Sequence, residues 1–370
     1  MTRLGVVAVA GPANGGTYHY TLSMLDALRQ AQGLEVTLYG DPENSDFMQL
    51  GFPIVPFQEP HIRQLCALAA DRLHVGLADP FAAEDVLLAP IYSLALLHTS
   101  KPFAYTLHDL QQLHYPQNFS RFQRLWRHQI YTRVSARARR IICESEYVKA
   151  DIIRFYGVAA EHIAVIPAPP HGNFLTTPDE QQLQAVRSRL HLPQRFLFYP
   201  AHFWQHKNHM RLIEAFRDVS REVPDLGLVL TGKEHEAYAK AMRAVETFGL
   251  REKVTHLGYL MLEDIQAIYH LATALVMPSL FESISIPIYE AFQAGTPVAA
   301  SNVVALPEQI GDAGLLFDPT SVASIRDAIL EIVNNPASAK VRADRAHERM
   351  AAMTVERYGA QLKDLIGQLR

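Results

Sequence analysis

Short apolar runs alternate along the chain with longer stretches in which apolar residues recur at helical spacing. That alternation predicts repeated β–α units around parallel sheets. In the first half the strand candidates are residues 5–10, 35–39, 85–89, 103–107, 141–143 and 164–166. In the second half they are 196–199, 227–230, 254–256, 274–277 and 297–300. Between the two sets lies Pro167-Ala168-Pro169-Pro170-His171-Gly172-Asn173, whose prolines exclude a helix and mark a linker. The expectation is an α/β protein of two doubly wound domains, 1–173 and 174–352, facing each other across a cleft. No repeat of solenoid period and no low-complexity tract interrupts the pattern.

Length and composition support this reading and remove several others. A chain of 370 residues exceeds what one core usually serves. With 49% apolar and 19% charged residues, it has no compositional case for disorder. A net charge of −4 excludes a general nucleic-acid binder, which needs a basic excess. Cys66 and Cys143 match no metal spacing, and both are expected in the core of a protein from a reducing compartment. Arg3 and the apolar run 4–10 mimic a signal peptide, but the run is short and turns into Gly11-Pro12, which suits a buried first strand better. The nearest approach to a membrane span, 265–281, contains Gln266, His270 and Pro278. A cytoplasmic location is expected.

The most informative stretch is 278–297, PSLFESISIPIYEAFQAGTP, in which Glu282 and Glu290 stand eight positions apart. Pro287 suits the first position of a helix, Gly295 its left-handed end, and Pro297 blocks continuation, so a short helix over 287–294 is expected. Free amides at Ser285 and Ile286 would then form an anion site at the positive end of the helix dipole. Carboxylates accept hydrogen bonds from hydroxyls rather than holding phosphate. An anion site bracketed by two of them predicts a nucleotide sugar.

Here the chain resembles a known family. Residues 282–290 look like the E-x7-E signature of family 4 retaining glycosyltransferases, enzymes of the GT-B fold. Asn14-Gly15-Gly16-Thr17, Thr106-Leu107-His108-Asp109, Ser145-Glu146-Tyr147-Val148, Tyr199–His209 and Leu306–Gly314 resemble further family segments in the same order. The likeness runs from about residue 5 to about 360. It implies that Glu290 accepts from the donor's ribose hydroxyls and Glu282 from those of the transferred sugar. Lys207 would stabilise the leaving diphosphate, which gains charge as the glycosidic bond breaks. Gly15, Gly16 and Thr17 would approach the donor phosphates. His108 would stand at the sugar's reacting face, orienting hydroxyls or the acceptor. Base contacts would be largely backbone, near Gly258, Tyr259 and Leu260. The last helix, within about 353–370, would pack back on the acceptor-binding first domain. The second domain would bind the nucleotide sugar.

The chain departs from the family in two places. His202 stands where members commonly carry an arginine five residues before the lysine; it is shorter and lacks the guanidinium fork. His206 or His209 could share the load. Ser283 and Ser285 replace frequent glycines, with the amides of Ser285 and Ile286 expected to remain usable. The resemblance implies a metal-independent reaction without a cofactor, and no Asp-x-Asp pair is present. No residue offers itself as the carboxylate nucleophile of a double displacement; the resemblance implies front-face attack, with the leaving diphosphate helping to take the acceptor's proton. No G-x-G-x-x-G at the first turn and no P-loop motif supports a dinucleotide or nucleoside-triphosphate enzyme.

From Leu110 to Cys143 no residue is acidic, while Arg121, Arg124, Arg127, Arg133, Arg137, Arg139 and Arg140 are basic. With Phe122, Leu125, Trp126 and Ile130 at helical spacing, this segment fits peripheral contact with an anionic membrane or a lipid-diphosphate acceptor. A helix packing its apolar face inward with arginines in water suits the segment slightly better. The reading reached is a retaining hexosyltransferase, mannose-type by the Tyr-Pro-Ala-x-Phe-Trp-x-x-Lys-Asn-His variant, using a GDP- or UDP-linked sugar. Its acceptor would be a glycan or lipid-linked chain in polysaccharide biosynthesis. The alternatives are a nucleotide-sugar epimerase of the same fold and a non-catalytic nucleotide-sugar binding protein.

Overall fold

The computed structural model describes residues 1–170 and 177–370. Two compact units divide the chain, Met1–His171 with Met353–Arg370, and Gly172–Ala352. The junction, with residues 171–173 of the expected linker, lies outside the described residues. Among the described residues no helix is long and apolar enough to cross a membrane.

The first unit holds a seven-stranded, all-parallel sheet in the order β3-β2-β1-β4-β5-β6-β7. Its strands are β1 (Thr2–Ala8), β2 (Leu34–Gly40), β3 (Ile54–Pro56), β4 (Val86–Ala89), β5 (Phe103–Thr106), β6 (Arg140–Cys143) and β7 (Ile163–Val165). The second unit holds six parallel strands in the order β10-β9-β8-β11-β12-β13. They are β8 (Arg195–Pro200), β9 (Leu226–Thr231), β10 (Val254–His256), β11 (Ala274–Met277), β12 (Val298–Ser301) and β13 (Leu315–Phe317). All eleven strands expected from the apolar runs are present, with ends shifted by up to three residues. The edge strands β3 and β13 went unseen. Each is three residues long and partly exposed, so neither carries a buried run to read.

Both sheets are covered on two faces, as parallel sheets must be. Leu4, Val6 and Ala8 of β1 join one apolar layer with Val36 and Leu38, while Val7 joins the opposite layer with Tyr39, Leu87 and Tyr105. The C-terminal helix Val355–Gly367 packs into the first layer through Tyr358, Leu362, Leu365 and Ile366. Burying each such side chain contributes about 1.5–3 kcal/mol. Gly359 permits the approach, because a Cβ there would stand 2.8 Å from the Ala27 carbonyl oxygen of helix Gly16–Gln30.

The arginine-rich segment is the helix Arg121–Arg137, started by a Ser120–Gln123 capping box. Its apolar stripe is divided. Ile130, Tyr131 and Val134 enter the core, whereas Phe122 and Leu125 are 69% and 61% exposed. Two of the arginines are paired as well as solvated. Arg133 and Arg137 both close on the buried Asp71, at 2.5 Å each. Cys143 is buried as expected, but Cys66 is exposed, because helix His61–Arg72 turns it away from Ala67, Leu68 and Ala70.

In each sheet the strand order reverses once, between β1 and β4 and between β8 and β11. The loops beyond such a switch point diverge and leave room for a ligand. In the second unit those loops are 201–208 and 278–285, the stretches that carry Lys207 and Glu282.

Candidate active site

Helix Ile286–Ala294 begins one residue earlier than its proline suggests, with Ser285 as N-cap and Pro287 at the second position. It ends on Gly295, whose φ of 71° is left-handed. The start of the helix differs from expectation in one respect that matters. The Ser285 N–H donates to Gln309 Oε1 at 2.9 Å, and the Ser285 carbonyl accepts from Gln309 Nε2 at 2.7 Å. The Ser285 amide is therefore spent on the protein, and Ile286 opens the helix behind it. A buried side-chain amide can satisfy a backbone pair in this way only when the loop is held rigidly against it. Gln309 lies in the segment 306–314, where no local pattern announces such a clamp.

Lys207 and Glu282 meet. The Lys207 ammonium is 2.5 Å from Glu282 Oε1, with side-chain exposures of 16% and 11%. The sequence assigned the two to different parts of a ligand; folding joins residues 75 positions apart. Three groups that the sequence reading passed over set this geometry. Tyr199 donates to the Lys207 carbonyl at 2.7 Å. Asn208, in a left-handed conformation at φ 61°, donates to the carbonyls of Pro278 and Pro319, both at 2.9 Å. The Leu280 N–H donates to the His206 carbonyl at 2.8 Å. Together they fasten the loop after β8 to the loop after β11.

Glu290 accepts a hydrogen bond from Tyr269 at 2.7 Å. Burial drives its carboxyl up to about 7, and Tyr269 only partly offsets that. Some of the residue remains exposed, so a ligand hydroxyl can reach it. Ser283 lies partly buried in the loop between the two glutamates.

His202 is a neutral imidazole. Its Nδ1 accepts the Lys233 N–H at 2.9 Å, which leaves the proton on Nε2. Burial lowers its pKa, and His235, Lys233 and Lys207 lower it further. His209 does not share the phosphate load. It is buried, stacked on Phe203 at 4.1 Å, and burial holds it down to about 3. The Gly258 carbonyl accepts the Gly232 N–H at 2.7 Å. Tyr259 beside it is 69% exposed, and Leu260 is partly buried.

The remaining candidates belong to the first unit. Gly15, at φ 55°, turns the chain into helix Gly16–Gln30, and Gly16 and Thr17 are its first two residues. His108 follows β5, but both ring nitrogens are already engaged. Nε2 donates to the Pro90 carbonyl at 2.9 Å, and Nδ1 is 3.0 Å from the buried Glu144 carboxylate. Burial lowers the His108 pKa, but Glu144 and the Pro90 carbonyl outweigh it and the net shift is upward. Both nitrogens thus have partners within the protein. Among the described residues no three His, Cys, Asp or Glu side chains are grouped to hold a metal ion.

Residues 14–169 match the family model for Glycosyltransferase Family 4, and residues 181–349 that for Glycosyl transferases group 1. The chain is 30% identical over 196 residues to O-antigen chain mannosyltransferase B of Escherichia coli, over 52% of this chain and 51% of that protein. It is 28% identical over 194 residues to the serotype-specific mannosyltransferase WbdA of Escherichia coli, over 51% and 24%. With O-antigen chain mannosyltransferase RfbU of Salmonella typhimurium, identity is 23% over 336 residues, 88% of this chain and 89% of that one. The match thus spans about half of the first relative and a quarter of the second. Among solved structures, HepE of Anabaena in complex with UDP and glucose superposes with a TM-score of 0.78 at 17% identity, over 99% of this chain and 100% of that one. WaaG, a glycosyltransferase involved in lipopolysaccharide biosynthesis, gives 0.71 at 17% identity, over 99% of both. These likenesses concern the fold, two Rossmann-like parallel-sheet units of the GT-B kind. With one family model on each sheet, and the second spanning Lys207 and both glutamates, the chain belongs to the group 1 glycosyltransferases.

Proposed function

We propose that the protein is a retaining, metal-independent hexosyltransferase that moves a mannose-type sugar from a GDP- or UDP-linked donor to a glycan or lipid-linked acceptor in surface-polysaccharide assembly. The observation that carries this reading is the Lys207–Glu282 contact in front of helix Ile286–Ala294, with Glu290 in its second turn. A cation and a carboxylate in mutual contact are each half-committed. A bound donor separates their tasks: its diphosphate takes the Lys207 charge, and its sugar hydroxyls donate to Glu282. Glu290 accepts from the ribose. The mannosyltransferase names of the relatives support the sugar class, and UDP in the HepE complex supports the donor class.

Melting curves with UDP, GDP, ADP and their sugar conjugates test the donor assignment. A ligand at 100 times its Kd adds about 2.7 kcal/mol to stability. One diphosphate series is expected to stabilise the wild type and to lose that effect in Glu290→Ala. Absence of any shift would sink the donor site. Transfer is then followed by NMR with EDTA present, where an α-linked donor should yield an α-linked product. An altered sugar formed from donor alone would instead identify an epimerase.

We also propose that the start of helix Arg121–Arg137 touches the cytoplasmic face of an anionic membrane. Phe122 and Leu125 are exposed beside Arg121 and Arg124, the arrangement an interfacial helix requires. Phosphatidylglycerol vesicles should sediment the wild type, and Arg121→Glu with Arg124→Glu should abolish this at about 1 kcal/mol per arginine. Unchanged sedimentation removes the proposal.

A further inference from the structure

Beside the Lys207–Glu282 pair, the ends of three strands are stitched together around Gly232. That residue, just past β9, has a φ of 119°, and its N–H donates to the Gly258 carbonyl beyond β10 at 2.7 Å. A Cβ there would stand 2.6 Å from the Ala201 carbonyl oxygen beyond β8, so only glycine admits so close an approach. The contact fixes the next residue, Lys233. Its N–H donates to His202 Nδ1 at 2.9 Å, and its carbonyl accepts from the Phe203 N–H at 3.1 Å. Its ammonium lies over the Tyr259 ring, 5.2 Å from the centroid. Among the described residues no carboxylate stands within ion-pair distance of it.

The charge balance of the site gives this lysine a role. A nucleoside diphosphate brings two to three negative charges. Lys207 is neutralised by Glu282, His202 is neutral, His209 is buried and neutral, and the Ser285 amide is occupied by Gln309. Those groups together supply no net positive charge. Lys233 is an unpaired cation held against His202, and both it and Lys207 bear electrostatically on that ring.

We propose that Lys233 supplies the second positive charge for the donor's diphosphate, replacing the arginine that family members carry at position 202. His202 then serves as a neutral Nε2–H donor and as the anchor that positions the lysine's backbone. The inference rests on the donor-site reading above and adds to it the residue that balances the charge. It explains why histidine is tolerated at 202: the charge has moved across to the neighbouring strand end.

Calorimetric titration of UDP, GDP, uridine and guanosine into wild type, Lys233→Met, Lys233→Met/His202→Arg and Glu290→Ala tests it. Lys233 is exposed, so the ligand-free melting temperature of Lys233→Met should equal that of wild type. The diphosphate Kd should rise at least tenfold in Lys233→Met while that of the nucleoside changes less than twofold. Restoring an arginine at 202 should recover most of the loss. A diphosphate Kd within twofold of wild type, or an equal loss for nucleoside and diphosphate, overturns the assignment. If Glu290→Ala abolishes binding while Lys233→Met leaves it unmoved, only the Lys233 inference falls. If the wild type binds none of these ligands, it falls together with the donor site.

Discussion

Replacing Lys207 with methionine is expected to lower kcat by about 10²–10³, some 3–4 kcal/mol of transition-state stabilisation, with a smaller change in KM. The leaving diphosphate gains charge only as the bond to the sugar breaks, so a fixed cation at that point acts mainly on the transition state. The same substitution leaves Glu282, only 11% exposed, without its partner. A stability loss of about 1–3 kcal/mol should follow, since a largely buried charge loses its charge-assisted bond. A second substitution separates the two effects. Lys207→Met with Glu282→Gln removes the stranded charge and should regain melting temperature, yet remain inactive. Recovery of activity in the double variant would show that Lys207 serves only to neutralise Glu282 and that transfer does not need the Glu282 carboxylate. Initial-rate kinetics and melting curves on the same preparations decide between these outcomes.

The second large effect is a pH dependence centred on Glu290. Burial lifts its carboxyl from an ordinary 4.5 to about 7. A raised carboxyl binds its proton more tightly in the folded state, so stability falls as pH increases between those two values. The contribution is fully present below about 4.5 and lost as pH rises through about 7, an effect of roughly 3 kcal/mol. The ligand-free protein should therefore melt lower at pH 8 than at pH 5, and Glu290→Gln should flatten that slope. Donor affinity runs the other way. Ribose hydroxyls donate best to the ionised carboxylate, so binding strengthens as pH rises toward 7 and releases a proton. Against Glu290→Gln, the wild type should bind the diphosphate at least tenfold more tightly at pH 7.5, and nearly equally at pH 5.5. The phosphate's own titration is common to both proteins and cancels in the comparison. Parallel affinity curves would remove Glu290 from the ribose.

Much of the fold was legible because its signals are local. Strands β8 to β12 announce themselves as apolar runs, and the helix over 286–294 is bracketed by Pro287 and Gly295, whose backbone preferences do not depend on distant neighbours. The edge strands β3 and β13 are paired on one side and partly exposed, so nothing in their three residues distinguishes them from loop. The arginine-rich helix was placed correctly, but the partner of Arg133 and Arg137 was not foreseeable. Asp71 sits more than 60 positions away in another helix.

The candidate site divides in the same way. Glu282, Glu290, Lys207 and the histidine at 202 could be singled out from residue type, spacing and family likeness. What each can do was decided elsewhere in the chain. Gln309 occupies the Ser285 amide, Tyr269 and burial set the state of Glu290, and Glu144 with the Pro90 carbonyl engages both nitrogens of His108. The sequence by itself determined the element types and the parallel α/β architecture, and it singled out the candidate residues. Those follow from periodicity, turn preferences and side-chain type, which are properties of a residue and its near neighbours. Only the tertiary structure decided the pairing of Lys207 with Glu282, the neutrality of His202 and the placement of Lys233. Charge state and hydrogen-bond availability depend on solvation and on partners brought from remote parts of the chain, and neither exists until the chain has folded.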